Sequence, residues 1–296
     1  MQVNLLMPRG LDHIVHAVRD LDAAADFYRR LGFTVGARNR HPWGTHNHLV
    51  QLPGFFIEIL TVAEPEKLGD DGFSRMFGDF NRRFLEAREG FSLLILESAD
   101  AAVDEKVFTG AKIAASPVMR FEREGKRPDG SPVTVAFSLG FARDALSPDT
   151  GFAVCQQHYP ENFWNADFQN HPNGVTQVGG VVMVAENPTD HHIFMSAFAG
   201  ERELQSTSSG VAVTTPRGDI QIMTPAAFED HFDLAAPDVS QGARLTALRL
   251  VARDLSTMEA GVSAGKAEGK HHMGRFIVPP ASAFGAAIVF EAAQTR

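Results

Sequence analysis

Cysteine is almost absent: the chain of 296 residues has one, Cys155, so no disulfide forms within it and a reducing compartment is expected. No apolar run approaches the roughly 18 residues of a membrane span. Met1 to Gly10 lack the charged start and long apolar stretch of a signal peptide, so a cytoplasmic protein with no membrane partner is expected. Tyr and Trp are scarce, with 2 each against 23 Phe, and the aromatic residues are therefore read as core filling rather than as a stacking platform. Positive charge is also short: 27 Lys and Arg against 36 Asp and Glu leave a formal charge of −9, with the basic residues dispersed. A nucleic-acid partner would call for a basic stripe, and there is none. The chain has no nucleophile elbow, phosphate-cradling glycine loop or cysteine-based zinc pattern, and Gly179-Gly180 opens no dinucleotide fingerprint.

What is present is a repeated shape. Residues 11–18 are short, β-branched and bounded by charge, as a strand should be. Asp20 then offers an N-cap, Leu21, Ala24, Ala25, Tyr28 and Leu31 share one helical face, and Gly32 supplies a stop. Strands are expected over 33–39, 46–52 and 55–62, which makes the unit βαβββ. A connection over about 63–90 holds a polar helix. A second unit opens at Phe91, with a helix over 99–109 and strands near 113–122, 133–141 and 152–158. Residues 160–174 are the best boundary in the chain. A third unit follows from Val175, with a helix over 189–198 and a strand over 218–223. After a loop over 225–242, a fourth opens at Leu245, where Arg253-Asp254-Leu255 repeats Arg19-Asp20-Leu21, and it closes over 286–291. Four such units predict an α+β chain of two domains, 1–174 and 175–296. Each pairs two βαβββ modules into a curved, cup-shaped mixed sheet with helices outside.

Two residues stand out chemically. Alternation along 55–62 puts Phe56, Glu58 and Leu60 on one face and Phe55, Ile57 and Ile59 on the other. Glu58 thus faces inward, where a carboxylate needs a partner. His13, on the opening strand, is the natural one. Imidazole and carboxylate from separate strands suit a divalent metal with positions open to substrate oxygens. A charge at a sheet edge, or a His13–Glu58 hydrogen bond without metal, would explain the pair equally. His158 could add a second imidazole, but alternation from Cys155 puts it on the opposite face unless the strand bulges or ends early. His16 is expected to face the helix and to be structural. Around Arg40 to His48, Trp43, His46 and Asn47 read as a polar loop or as a substrate rim. Arg127, in the turn 125–130, is a candidate for an anionic substrate group.

Several stretches carry a family resemblance: Leu11-Asp12-His13, Val18-Arg19-Asp20-Leu21-Asp22-Ala23, His41-Pro42-Trp43-Gly44-Thr45-His46-Asn47, Phe56-Ile57-Glu58-Ile59, Arg127-Pro128-Asp129-Gly130 and His171-Pro172-Asn173-Gly174. Over residues 11–180 the chain resembles the vicinal oxygen chelate superfamily of glyoxalase I, extradiol dioxygenases and bleomycin-resistance proteins. Within it, the chain is most similar to the glyoxalase-like domain group. The resemblance implies metal ligands from the first and last strands of paired modules, positions that His13 and Glu58 match. The second module departs, with Phe91 and Cys155 standing in the ligand places. Units three and four offer Gly179, Gln221, Ala247 and Val289, and a metal-free second cup is expected.

The implied function is a metal-dependent enzyme acting on a small molecule with vicinal oxygens, by lyase, isomerase or dioxygenase chemistry. Its divalent ion (zinc, nickel, manganese or iron) would be held by His13, Glu58 and His158, with Glu58 catalytic as well. The alternative is a metal-free protein of the resistance type that sequesters a small ligand. A structural role is a third reading, since such modules pair readily between chains, and a homodimer is a possible assembly.

Overall fold

A computed structural model describes residues 7–126 and 130–293. The first module comprises β1 (Leu11–Ala17), α1 (Leu21–Arg30), β2 (Asn39–Arg40), β3 (Thr45–Leu52) and β4 (Phe55–Val62). A connection with a π-helical turn, Ser74–Asp79, and α2 (Phe80–Ala87) leads to the second module. That module comprises β5 (Gly90–Glu97), α3 (Ala101–Gly110), β6 (Met119–Lys126), β7 (Pro132–Ala142) and β8 (Gly151–Gln157). After the short α4 (Pro160–Phe163), the third comprises β9 (Val175–Val184), α5 (His192–Ala199), β10 (Leu204–Thr207), β11 (Gly210–Thr214) and β12 (Asp219–Met223). The helix α6 (Pro225–Phe232) precedes the fourth: β13 (Arg244–Ala252), α7 (Leu255–Ala264), β14 (Lys270–His272), β15 (Arg275–Val278) and β16 (Ala287–Ala292). All four units are βαβββ.

Two eight-stranded mixed sheets result, ordered β2-β3-β4-β1-β5-β8-β7-β6 and β10-β11-β12-β9-β13-β16-β15-β14. In each, two modules meet through their opening strands, antiparallel, while the opening and closing strands within a module run parallel. The strand-to-helix junction is capped alike in three modules: Asp20, Asp100 and Asp254 accept from backbone N–H groups of the first turn.

The helix-bearing faces of both sheets share one apolar core. Tyr28, Phe108, Phe198 and Met258 from four helices pack there with Ile14, Leu94, Val181 and Leu248 from the opening strands. His16 belongs to this layer, as its place on β1 requires. Its Nδ1 meets the Tyr28 hydroxyl at 2.9 Å and its Nε2 the Phe284 carbonyl at 3.0 Å, which joins the two halves. Arg9 makes a second joint, pairing with Asp104 and donating to the carbonyls of Ala197 and Phe198.

Three local expectations are corrected. Residues 33–39 do not form a strand, because the N–H of Thr34 bonds to the His171 ring and its hydroxyl to the Asn170 carbonyl, and only residues 39–40 pair. The loop expected over 225–242 begins instead with α6, capped by Thr224 with Pro225 in its first turn. Phe91 faces the helix layer beside His16, so the inward positions of β5 are Leu93 and Ile95.

Burial lowers the His16 pKa from 6.5 to about 4. Between these values the unfolded chain binds a proton that the folded chain excludes. Stability is therefore complete above pH 6.5 and falls as pH drops, by about 3 kcal/mol from this residue once pH 4 is reached. His41 and His171, also lowered chiefly by burial, add to the same trend. Urea unfolding measured from pH 7 to 4.5 should show this loss, and His16→Gln should make it shallower by nearly one proton; an unchanged slope would contradict the assignment.

Candidate functional site

The concave face of the first sheet holds a cleft of about 630 Å³, open mouth included. Strand alternation delivers its floor. On β4, Phe56 and Glu58 face the cleft while Phe55, Ile57 and Ile59 enter the helix core. His13 on β1 stands opposite Phe56 and stacks on its ring at 4.2 Å. Its Nε2 lies 4.0 Å from Glu58 Oε2, and both side chains are about 6% exposed.

Each of these groups is held from behind. A register shift between Leu11 and His13 against β5 bulges Asp12 onto the His13 side. Asp12 Oδ1 meets His13 Nδ1 at 2.5 Å, and Asp12 Oδ2 accepts from Gln157. Glu58 Oε1 accepts from Asn47 Nδ2 at 2.5 Å, and Asn47 in turn accepts from Asn39 at 3.0 Å. Burial raises the Glu58 pKa, against the opposing pull of His13 and of the Asn47 hydrogen bond. The result is a polar line of six side chains across β2, β3, β4, β1 and β8, with the free edges of His13 and Glu58 at its centre.

The walls are aromatic. Trp43, packed between His41 and Phe73, forms one side with Phe77 and Phe121. Phe163 forms the other, against Phe56 and Phe137. Gln51 fixes the Phe163 loop by donating to its carbonyl and accepting from the Asn165 N–H. Phe73 and Phe77 come from the connection at its π-helical turn, a form of helix frequent at functional sites. Arg123 on β6 completes the lining.

Of the residues singled out in the sequence, His13, Glu58, Trp43 and Asn47 line the cleft. His46 does not: it points to Glu64, 3.0 Å away. His158 bonds to Ser138, whose neighbours Phe137 and Leu139 are the ones facing the cleft, so it lies on the other side of the sheet from His13 and Glu58. No bulge brings it round, because β8 stays in register with β7 up to Gln157. Arg127 lies outside the described residues. Cys155 lines the cleft as a neutral thiol, its pKa pushed up by burial and then by Asp12 and Glu58. Asp12, Asn39, Arg123 and Phe163 were not singled out from the sequence. The Phe121-X-Arg123 alternation was the available signal for one of them.

A catalytic divalent ion wants three protein ligands and an open position. Here two donors converge, and among the described residues no third His, Cys, Asp or Glu joins them in a metal-sized group. The donor set among the described residues does not fit a resident zinc, nickel, manganese or iron ion.

The concave face of the second sheet is built differently. Phe228 and Phe232 of α6 pack onto Val182, Ala247, Ile277 and Val289. Beyond them Arg249 pairs with Asp219 at 2.7 Å and Glu291 at 2.9 Å. Beside that cluster Gly180 leaves no room for a side chain, since a Cβ there would lie 2.6 Å from the Asp219 backbone oxygen.

Residues 11–197 match the model of the Glyoxalase-like domain family. The chain belongs to that family. Its sequence matches no curated protein. Among solved structures it is similar to a hypothetical protein from Staphylococcus aureus, at 12% identity and TM-score 0.67, covering 96% of this chain and 100% of that one. It is also similar to a mutant of 4-hydroxymandelate synthase from Streptomyces coelicolor, at 10% identity and TM-score 0.58, covering 97% and 94%. A fusion of a xylose isomerase-like TIM barrel with a 4-hydroxyphenylpyruvate dioxygenase matches at 12% identity and TM-score 0.52, over 99% of this chain and 50% of that one. At these identities the likeness is one of fold alone. No helix among the described residues is long and apolar enough to cross a membrane.

The Asp12 contact fixes where the His13 proton sits. Long-range ¹H–¹⁵N correlation spectra should show Nδ1 protonated in the native protein. In Asp12→Asn that signature should be lost, and the same spectrum in both proteins would mean Asp12 does not orient the ring.

Proposed function

We propose that this glyoxalase-like protein is an enzyme that moves a proton between neighbouring atoms of a small molecule bearing two adjacent oxygens. His13 is its base and Glu58 its acid. One observation carries the reading: His13 Nε2 and Glu58 Oε2 face one another across 4.0 Å in an aromatic cleft, each held from behind by a polar partner.

Consider a substrate with an H–C–OH carbon beside a carbonyl. His13 Nε2 takes the proton from that carbon, and the carboxyl of Glu58 gives its own to the carbonyl oxygen, leaving a neutral enediol. The imidazolium then gives its proton to the former carbonyl carbon while Glu58 takes the proton of the original hydroxyl, which regenerates both side chains and completes an isomerisation. Asp12 stabilises the imidazolium formed midway. Burial suits Glu58 to its part, because it favours the protonated carboxyl. The aromatic walls exclude water, which strengthens both interactions.

A second reading, sequestration of a ligand without chemistry, is favoured by the predominance of aromatic side chains in the lining. One experiment separates the two. A panel of small α-hydroxycarbonyl compounds is incubated with the enzyme in D₂O and followed by ¹H NMR. At least one member should exchange its α-proton, and His13→Ala and Glu58→Gln should each slow that exchange by about 10²–10⁴-fold. Dialysis against a chelator should leave the rate unchanged. Binding without exchange would favour sequestration, and a rate lost to the chelator and restored by added metal would overturn the assignment to side chains alone.

A further inference from the structure

We propose that the molecule this cleft takes is a planar aromatic anion, its ring held between the Phe56–Phe163 wall and the Trp43–Phe121 wall and its negative group held by Arg123. The proposal deepens the reading of the cleft as a small-molecule site and rests on that reading.

Arg123 is the starting point. It lies on β6 in alternation, with Phe121 and Arg123 facing the cleft while Arg120, Glu122 and Glu124 belong to the other face. It is half-buried, and burial works against its charge. Among the described residues nothing offsets that cost: its one hydrogen bond there, to the carbonyl of neighbouring Glu124, is long at 3.5 Å, no carboxylate pairs with it and no ring sits beneath it. The arginines on the second concave face contrast with it: Arg249 and Arg275 both pair with Glu291. A guanidinium drawn into an apolar cleft without a counter-ion is costly. Its planar fork matches a carboxylate or phosphate held by two parallel hydrogen bonds, and an incoming anion would supply the missing partner.

The rest of the lining limits what carries that anion. Flat rings bound the space on both sides, and His41, stacked on Trp43, stays neutral, with its pKa lowered to about 3 by burial and then by Arg123 and His46. Arg123 is therefore the positive charge of that wall. Aromatic walls favour a planar, polarisable guest over a flexible aliphatic one of the same size.

The test is calorimetric titration of the whole protein with three probes: 1-naphthoate, its neutral amide 1-naphthamide, and cyclohexanecarboxylate. Naphthoate should bind about ten-fold or more tightly than either of the others. Arg123→Gln should erase the preference for acid over amide while leaving amide binding unchanged, and Arg123→Lys should retain part of it. The titrations are repeated in Glu58→Gln, which lacks the acid of the proposed reaction. A preference that persists there establishes anion recognition whether or not the protein catalyses proton exchange. Equal binding of acid and amide by the native protein, a preference that survives Arg123→Gln, or no binding of any probe would overturn the proposal. Cyclohexanecarboxylate binding as tightly as naphthoate would overturn its aromatic part.

Discussion

Each eight-stranded sheet has one face too apolar for water, and the two sheets bury those faces against a common set of helices. Everything else in the molecule is arranged around that shared layer. It orients both concave faces away from the core and places His16 and Arg9 at the seam, where each bonds to the opposite half. Both seam residues are nearly fully buried, and both have partners for the nitrogens they bring inside. That is the condition on which polar side chains can occupy such a position.

With one face of each sheet spoken for, the concave faces have diverged. The second is covered at one end by the phenylalanines of α6 and at the other carries an arginine clamped between two carboxylates, lining an open polar cleft of about 1230 Å³, mouth included. The first holds an aromatic cleft instead. There, a histidine and a glutamate on adjacent strands are braced by residues on their far sides, so that neither needs the other as a partner. The bracing supports the assignment of chemistry: two buried polar groups that merely satisfied one another would sit at hydrogen-bond distance, not 4.0 Å apart.

The parts of this arrangement legible in the sequence are those that depend on local periodicity. Alternation along 55–62 puts Glu58 inward, and the recurrence of Arg-Asp-Leu marks the strand-to-helix junctions; the four βαβββ units follow from such signals. What could not be read depends on pairing across long separations. Asp12 joins His13 only because β1 bulges against β5, about 80 residues on, whereas alternation alone would send Asp12 to the opposite face. His158 turns away because Ser138 receives it on the far side of β7. Phe163 reaches the cleft because Gln51 ties down its loop. The helix at Pro225 was within reach, since Thr-Pro followed by two phenylalanines four apart is a start signal with an apolar stripe behind it.

The shared layer also bears on how the chain is divisible. Its two halves are separate as sheets, with a loop between them, yet α1 and α3 of the first half pack against α7 and α5 of the second, and β3 and β5 meet β9 and β13. The second half thus serves as the foundation on which the aromatic cleft of the first sheet is cast. Substitutions remote from any ligand, among them changes at Phe198 or Leu248, would reach the cleft through the curvature of the sheet above them. The duplicated module has kept its architecture by changing its occupation.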